Sequence, residues 1–300
     1  MERRTLLAVR RPPGILPLVE DSDASFGATV ATGRLGGGIP VHAMMGDSHA
    51  ALFGHGVRAP GAVKATYGTG SSLMALIDRP LRSRSGLSTT VAWRRSGRVD
   101  YALEGNISVS AQAAAWTAEL MGLPDVEALT QLAASVADAG GVCFVPALAG
   151  LGAPHWRDRA RAALTGMSLA TTRAEIARAA LEAIAHQIYD VFEAMESDLG
   201  LRLEALSVDG GATRSDLLMQ IQADLLGRPV KRVEIAELSA FGAGAMAGLA
   251  CGFFDDAAIT ARLNSSADAF APRLGESERL AMAANWNAAV KSVIAGAERR

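Results

Sequence analysis

The feature that most constrains the fold is the stretch from about Arg173 to Leu199, which reads as one long amphipathic helix. Its apolar residues recur at steps of three and four between Ile176 and Met195, and this spacing predicts a single buried face. Thr172 and Glu175 form a capping-box pattern before it, and glycine follows its end. A second layer of structure must cover such a face.

Strand-like sequence precedes this helix. Gly61–Ile77 reads as two strands joined at Gly68–Gly70, and Ser88–Gly105 reads as two more strands around a Ser-Gly turn. Val41–Gly46 reads as a short buried strand that ends at Asp47, with a short helix after it. Because strands come first and then alternate with helices, the pattern predicts a mixed α/β domain.

Composition excludes two classes of partner. The formal net charge is −2, with 29 basic and 31 acidic residues, so no basic surface for nucleic acid is expected. The sequence has no apolar run of about 18 residues, which a membrane-spanning helix would need. Cys143 and Cys251 are far apart and are interpreted as buried structural thiols, which favours a reducing, cytoplasmic setting.

Three short motifs carry polar residues of the kind that chemistry needs. Asp47 follows the predicted strand, where a carboxylate meets solvent in a cleft, although an aspartate before a helix is also a common N-cap. Thr69 lies between two glycines whose backbone can approach a phosphate, although an ordinary tight turn has the same sequence. Gly210 and Gly211 join a strand to a helix, as in nucleotide-facing elements. Each motif alone is a weak signal.

Taken together and in order, the motifs resemble the C-terminal half of the FGGY carbohydrate kinases. The matching stretches include GDSHAALFG, KATYGTGSSLM, VDGGATRSDLLMQIQADLLGRPV and SAFGAGAMAGLACGFF, and Ala162–Glu182 fits the second signature of the family. The resemblance runs from about Leu6 to the C-terminus. It implies an α/β fold: a ribonuclease-H-like ATPase domain of the actin and hexokinase type, with a mixed sheet and flanking helices.

The resemblance also implies an activity. Members of the family use ATP and Mg²⁺ to phosphorylate a hydroxyl of a sugar or polyol. Asp47 matches their catalytic base, and it lies near the metal of Mg-ATP. Thr69, between Gly68 and Gly70, matches the residue that contacts the ATP phosphates, and Gly210–Gly211 matches the pair at the adenosine.

Several positions depart from members of the family that act on glycerol. Ser215 replaces an asparagine, Ala111 a glycine and Ala115 a glutamine in the nucleotide pocket. Ser48 replaces the glutamine beside the base, so the resemblance leaves the sugar or polyol open. His49 is expected near the substrate, with a packed or solvated histidine as the alternative. His155 is expected to be structural.

The resemblance also suggests a division of the chain. Residues 1–40 are expected to be the tail of an N-terminal kinase domain, and residues 41–300 the C-terminal kinase domain. The Asp-x-Gly-Thr/Ser phosphate loop of the first domain is not found, so that domain is expected to be missing. The alternatives are therefore an inactive nucleotide-binding remnant, half of a split kinase, or an actin-like scaffold. The expected partners are a small sugar or polyol, ATP or ADP, and further copies of the chain.

Overall fold

The computed structural model describes residues 17–264 and 267–299, so Leu6 and the rest of residues 1–16 lie outside the described residues. The strands are β1 (Val63–Tyr67), β2 (Ser71–Ile77), β3 (Ser88–Arg95), β4 (Arg98–Ile107), β5 (Cys143–Val145), β6 (Ala163–Thr165), β7 (Leu206–Asp209), β8 (Val230–Val233) and β9 (Ala267–Phe270). The helices are α1 (Asp47–Gly54), α2 (Ala111–Leu120), α3 (Val126–Ala134), α4 (Arg173–Leu199), α5 (Asp216–Leu226), α6 (Leu238–Ala250), α7 (Asp256–Asn264) and α8 (Glu276–Glu298).

A seven-stranded mixed sheet organises the fold, in the order β3-β4-β2-β1-β7-β8-β9. Strands β1 to β4 form two antiparallel hairpins, β1–β2 and β3–β4, that are joined by antiparallel pairing of β2 with β4, whereas β1, β7 and β8 run parallel to one another. β9 closes the far edge antiparallel to β8. The parallel centre brings the ends of β1 and β7 side by side, which is where α/β sheets place ligand sites.

Helices cover both faces of the sheet. Alternate residues of β1 and β2, such as Ala65 and Leu73, face a large core that includes residues of α2, α3, α4, α5 and α8. Met74 and Leu76, which point the opposite way, pack in a smaller core with α1, α6 and α7. The predicted mixed sheet with flanking helices is therefore confirmed.

The long helix matches its prediction from end to end. α4 spans Arg173–Leu199, the Thr172 side chain accepts from the Glu175 N–H, and Glu175 bonds back to the Thr172 backbone. Gly200 ends the helix with φ of 64°. Local capping chemistry and a continuous apolar face agree here, so the sequence specifies both ends.

Two expectations are wrong. Residues 41–46 form no strand: Pro40 makes an isolated bridge to Ala28, and Val41 bonds only to that same local segment, so the apolar run never reaches the main sheet. Cys143 is buried in β5, but Cys251 is exposed because it follows the last residue of α6, beyond the packed turns. The domain boundary proposed at residue 40 stays a prediction.

Candidate active site

A cavity of about 460 Å³ opens where β1 and β7 end. It is bounded by the β1–β2 hairpin, by the N-terminal turns of α2 and α3, by α4, and by the segment after β7. Its size falls in the range of small-molecule sites. Its lining residues are Tyr67, Gly68, Thr69, Ala111, Gln112, Ala114, Ala115, Val126, Thr130, Leu181, Ile184, Gly211, Ala212, Ser215 and Leu218.

The hairpin is fastened to the start of α2. The Gly68 carbonyl accepts the Ala111 N–H at 3.1 Å, and the Thr69 carbonyl accepts the Ser110 N–H at 2.9 Å. The Thr69 residue is exposed at the cavity. Gly70 does not line the cavity; a Cβ there would lie 2.4 Å from the Ile107 carbonyl oxygen, so this glycine permits the close approach of β4. The hairpin is thus rigid, with one free hydroxyl-bearing side chain at its tip.

The two glycines after β7 have different roles. Gly210 has φ of 100°, and a Cβ there would lie 2.4 Å from the Tyr67 carbonyl oxygen, so the fold itself requires glycine. A Cβ on Gly211 would meet nothing within 4 Å, and this residue faces the cavity. A short 3-10 turn, Gly211–Arg214, separates the pair from α5, contrary to the direct strand–glycine–helix junction expected. Ser215 caps α5 by accepting the Leu218 N–H at 3.2 Å.

Asp47 lies elsewhere, at the first residue of α1. It is exposed, and its Oδ1 accepts the Ser48 N–H at 2.7 Å. The N-cap is Gly46, so the reading of Asp47 as the capping side chain is wrong, as is the buried strand before it. Asp47, Ser48 and His49 do not line the cavity of about 460 Å³. Asp47 is therefore a carboxylate with one oxygen held locally, on a helix whose Leu52 and Phe53 pack in the smaller core.

Ser48 and His49 follow on the first turn of α1, and both are half-buried. The His49 Nε2 lies 3.3 Å from Thr90 Oγ1 of β3. Burial lowers the pKa of His49, against the opposing charge of Glu104. This histidine is therefore an uncharged, anchored side chain at neutral pH.

A buried polar network between α1 and the sheet was not foreseen from the sequence. The Lys64 Nζ donates to Thr66 Oγ1 at 3.2 Å, and Thr66 donates to Asp209 Oδ1 at 2.6 Å. The His55 ring bonds to the same carboxylate at 3.1 Å and to Ser207 Oγ at 2.8 Å. The signal in the sequence is a pair of polar residues, Lys64 and Thr66, at alternate positions of an otherwise apolar strand.

The network contains a fully buried lysine. Burial lowers the pKa of Lys64 to about 8, even though Asp209, Glu104 and Asp47 all act to raise it. Burial would raise the pKa of Asp209, but the hydrogen bonds and charges of its neighbours hold it below its usual value. Burial also lowers the pKa of His55, so the His55–Asp209 contact is a hydrogen bond from a neutral imidazole at pH 7. Lys64 thus interacts electrostatically both with Asp47 and with Asp209 at the end of β7.

The described residues contain neither a cluster suited to a metal ion nor a membrane-spanning helix. Among residues 17–264 and 267–299, no group of three or more His, Cys, Asp or Glu side chains is placed to hold a metal ion. Within the same ranges, no helix is both long and apolar enough to cross a bilayer. His155 makes a structural contact, as expected: its Nε2 lies 3.0 Å from Asp190 Oδ2 in α4.

Comparison with known proteins gives closely similar sequences. The chain is 47% identical over 282 residues to a glycerol kinase from Dechloromonas aromatica, covering 93% of this chain and 56% of the relative. It is 47% identical over 288 residues to an apulose kinase from Pectobacterium atrosepticum, covering 95% of this chain and 58% of that relative. The chain therefore spans somewhat more than half the length of these curated relatives.

Solved structures share the fold. A Plasmodium falciparum glycerol kinase, solved with ADP, superposes with a TM-score of 0.91 at 28% identity, over 98% of this chain and 59% of the other. A xylulose kinase from Rhodospirillum rubrum superposes with a TM-score of 0.80 at 25% identity, over 99% and 61%. The α/β ATPase fold of the actin and hexokinase type is thereby established. Residues 63–251 match the model of the C-terminal domain of the FGGY carbohydrate kinases, and the chain belongs to that family.

Proposed function

We propose that this chain is the nucleotide-binding part of an ATP-dependent kinase that phosphorylates a hydroxyl of a small polyol or sugar. Membership of the family supports this, and so does the ADP carried by the Plasmodium falciparum relative. The observation that carries the proposal is the cavity at the ends of β1 and β7. The Gly68–Thr69 hairpin and Gly211 converge there although more than 140 residues separate them in the sequence.

In this proposal the cavity holds ATP. The Thr69 N–H and hydroxyl at the tip of the hairpin face the phosphates, since such groups are suitable anion donors, while Gly68 lines the cavity and Gly70 holds the turn against β4. Gly211 leaves room for the adenosine, with Gly210 shaping the turn behind it. Ala111, Ala115 and Ser215 supply small walls, which fits a flat ligand packed closely against the backbone.

Asp47 is the proposed general base. The substrate hydroxyl oxygen attacks the γ-phosphorus, its proton passes to a carboxylate oxygen of Asp47, and the bond to the β–γ bridging oxygen breaks to release ADP. This chemistry depends mainly on positioning and charge. Asp47 fits the role because it is exposed at the first turn of α1, with one oxygen held by the Ser48 N–H. Ser48 and His49, on the same turn, are the proposed substrate contacts.

Mg²⁺ fits this arrangement without a dedicated protein cage. Magnesium in kinases is held mainly by phosphate oxygens, waters and one or two carboxylates. Asp47 supplies one exposed carboxylate, which agrees with the absence of any three-ligand cluster in the described residues. When bound with ATP, the ion would neutralise charge on the transferring phosphoryl group. The proposed setting is the cytoplasm, in keeping with two free thiols.

The main alternative is a nucleotide-binding remnant or half of a split kinase. In this alternative the cavity binds nucleotide, but the chain alone does not transfer the phosphoryl group. Both the kinase and the remnant would bind nucleotide, but only the kinase would release ADP in a sugar- or polyol-dependent reaction.

The test compares Asp47→Asn with Asp78→Asn, a control at an exposed aspartate just after β2. Sugar- or polyol-dependent ADP release is measured with glycerol, apulose and xylulose. The assay uses the chain alone and the chain fused to the unmatched part of the Dechloromonas aromatica relative. In the fusion, we expect Asp47→Asn to lower turnover by about 10²- to 10⁴-fold while ADP affinity changes less than about twofold. Full turnover by Asp47→Asn would show that Asp47 is not the general base. Lack of ADP binding by the unsubstituted protein would contradict both the kinase and the nucleotide-binding remnant.

A further inference from the structure

A second and larger cavity lies between β5, α4 and α8. Its volume is about 640 Å³, within the range of small-molecule sites. It does not share a lining residue with the proposed nucleotide cavity. Its walls are Ala137, Asp138, Ala139, Gly141, Val142, Cys143, Phe144, Arg178, Ala179, Glu182, Ala183, His186, Asp224, Leu274, Glu278, Ala281, Met282, Asn285 and Trp286.

The α4 helix separates the two cavities. Arg178, Glu182 and His186 recur at steps of four and line the second cavity, whereas Leu181 and Ile184 line the first. These sets lie on neighbouring faces of the same helix, because a step of three or four residues returns to one face. Ligands could therefore occupy both cavities at once.

The lining is strongly acidic. Four carboxylates, those of Asp138, Glu182, Asp224 and Glu278, line it together with one guanidinium, that of Arg178. The Arg178 Nε bonds to Glu182 Oε1 at 2.8 Å, so this cation is already paired. Burial raises the pKa of Glu182, and the charge of Asp138 raises it further, while Arg178 acts against both. A cation in the cavity would relieve this repulsion, whereas a phosphate would add to it.

The remaining carboxylates are fixed in place by local bonds. Asp138 Oδ1 accepts the Gly140 N–H at 2.7 Å, and Asp224 Oδ1 accepts the Arg273 N–H at 2.6 Å. Glu278 Oε2 accepts the Gly275 N–H at 2.9 Å. Each bond involves one oxygen of its carboxylate, so the charges are oriented without being neutralised by a cation.

His186 provides an independent indication of a ligand. The residue is only 5% exposed and lies in the cavity wall, where its ring stacks on Trp286 with centroids 5.0 Å apart. Its Nδ1 has no hydrogen-bond partner among the described residues. Burial lowers the pKa of His186 to about 3, so the ring is neutral and does not repel a cation. A buried polar atom without a partner is costly. With the ring proton on Nε2, Nδ1 would accept an N–H of a ligand.

We propose that this cavity binds a small organic cation that carries an amine or guanidinium group. The carboxylates supply the charge complement, and the neutral wall of His186 and Trp286 supplies a flat surface with a free nitrogen. The cavity is a second ligand site, separated from the proposed nucleotide cavity by α4. Inorganic phosphate and other small anions are excluded by the same lining.

The experiment uses agmatine, which carries both groups, as the probe for the 300-residue chain in calorimetric titration. Ala281→Arg places a cation at an exposed lining position of α8, and Ala288→Arg, exposed on α8 outside the lining, is the matched control. Glu278→Gln removes one charge and can still accept the Gly275 N–H. Thermal unfolding verifies that each variant is folded.

We expect saturable binding of one agmatine per chain, unaffected by saturating ADP. Ala281→Arg should abolish it, Glu278→Gln should weaken it about threefold to tenfold, and Ala288→Arg should leave it unchanged. Inorganic phosphate should show no binding to this cavity. Absence of saturable agmatine binding, displacement by ADP, or equal binding by folded Ala281→Arg would each overturn the proposal.

Discussion

At the scale of single residues, two adjacent glycines have different roles at the proposed nucleotide site. Gly211 leaves open space at the cavity, while its neighbour Gly210 is needed for the backbone path against Tyr67. The sequence motif marks both glycines equally, because it records residue type and not the direction of the missing Cβ. Only the packing of β7 beside β1 shows that Gly210 is required by the fold whereas Gly211 leaves space for a ligand.

Gly211→Val is expected to weaken ADP binding by at least about tenfold without lowering thermal stability. The added side chain would enter free space in the folded protein and occupy part of the cavity of about 460 Å³. Calorimetric titration with ADP gives the affinity, and thermal unfolding tests the fold. Ser215→Ala is the comparison, because losing the α5 cap should cost about 1 kcal/mol of stability. Unchanged ADP affinity in Gly211→Val would show that the nucleotide binds elsewhere.

Lys64 should make the stability depend on alkaline pH. Its pKa falls from 10.5 to about 8 on folding, so the unfolded chain binds more protons between these values. The contribution of Lys64 to the free energy of unfolding therefore increases as pH rises from 8 towards 10.5. The pKa of Cys143, raised to about 11 by burial, acts in the opposite direction above pH 9. The useful measurement is thus the difference in free energy of unfolding between wild type and Lys64→Met, because the contribution of Cys143 is the same in both proteins and cancels.

We expect that difference, wild type minus Lys64→Met, to rise by about 1 kcal/mol between pH 8 and 9. Denaturant unfolding at a series of pH values measures it, and Lys291→Met, at an exposed position of α8, is the matched control. Parallel stability profiles for wild type and Lys64→Met would mean that Lys64 keeps its ordinary pKa in the fold.

At the scale of elements, the contact between α1 and α6 positions Asp47. A Cβ on Gly242 of α6 would lie 1.8 Å from the Ala50 carbonyl oxygen of α1, and a Cβ on Gly54 would lie 2.6 Å from the Leu238 carbonyl oxygen. The two backbones therefore touch, with Leu52 and Phe53 buried in the smaller core alongside. The first turn of α1, which carries Asp47, is held in place by a contact that tolerates no side chain.

Gly242→Ala should lower the free energy of unfolding by about 1–3 kcal/mol, because the helices must separate to admit one methyl group. Gly244→Ala is the matched control on the same helix: its Cβ meets nothing within 4 Å, and alanine favours helix by up to about 1 kcal/mol over glycine. Denaturant unfolding of both variants measures the difference. Equal stability of the two would contradict the close contact between α1 and α6.

Sequence predicted the elements whose signal is local and missed those that depend on partners. α4 and the two hairpins of β1 to β4 carry their own periodicity, caps and turns, and they form as expected. Val41–Gly46 has an apolar run but no neighbouring strand of the main sheet, so pattern alone misread it. The Lys64–Asp209 network joins residues far apart in sequence, and no local rule could pair them.

At the scale of the whole molecule, one sheet with helices on both faces places its polar residues in two distinct regions. The nucleotide cavity lies on the side of the larger core, while Asp47 starts a helix that packs on the other. Phosphoryl transfer would have to join these regions around the end of β1. Lys64, buried beneath α1 and electrostatically coupled to Asp47 and Asp209, is the described charge that acts on both.

The last prediction concerns turnover by the 300-residue chain itself. We expect it to fold cooperatively and bind ADP, yet to show no sugar- or polyol-dependent ADP release near about 1 per second, an ordinary rate for kinases. In-line transfer needs the phosphoryl group held from several directions, and positioning supplies much of the rate. In the described residues, the proposed phosphate contacts come from one hairpin. A coupled assay over glycerol, pentuloses and hexuloses measures the rate, with the fusion to the Dechloromonas aromatica relative as the positive comparison. Turnover by the chain alone that equals the fusion would show that these 300 residues hold a complete catalytic site.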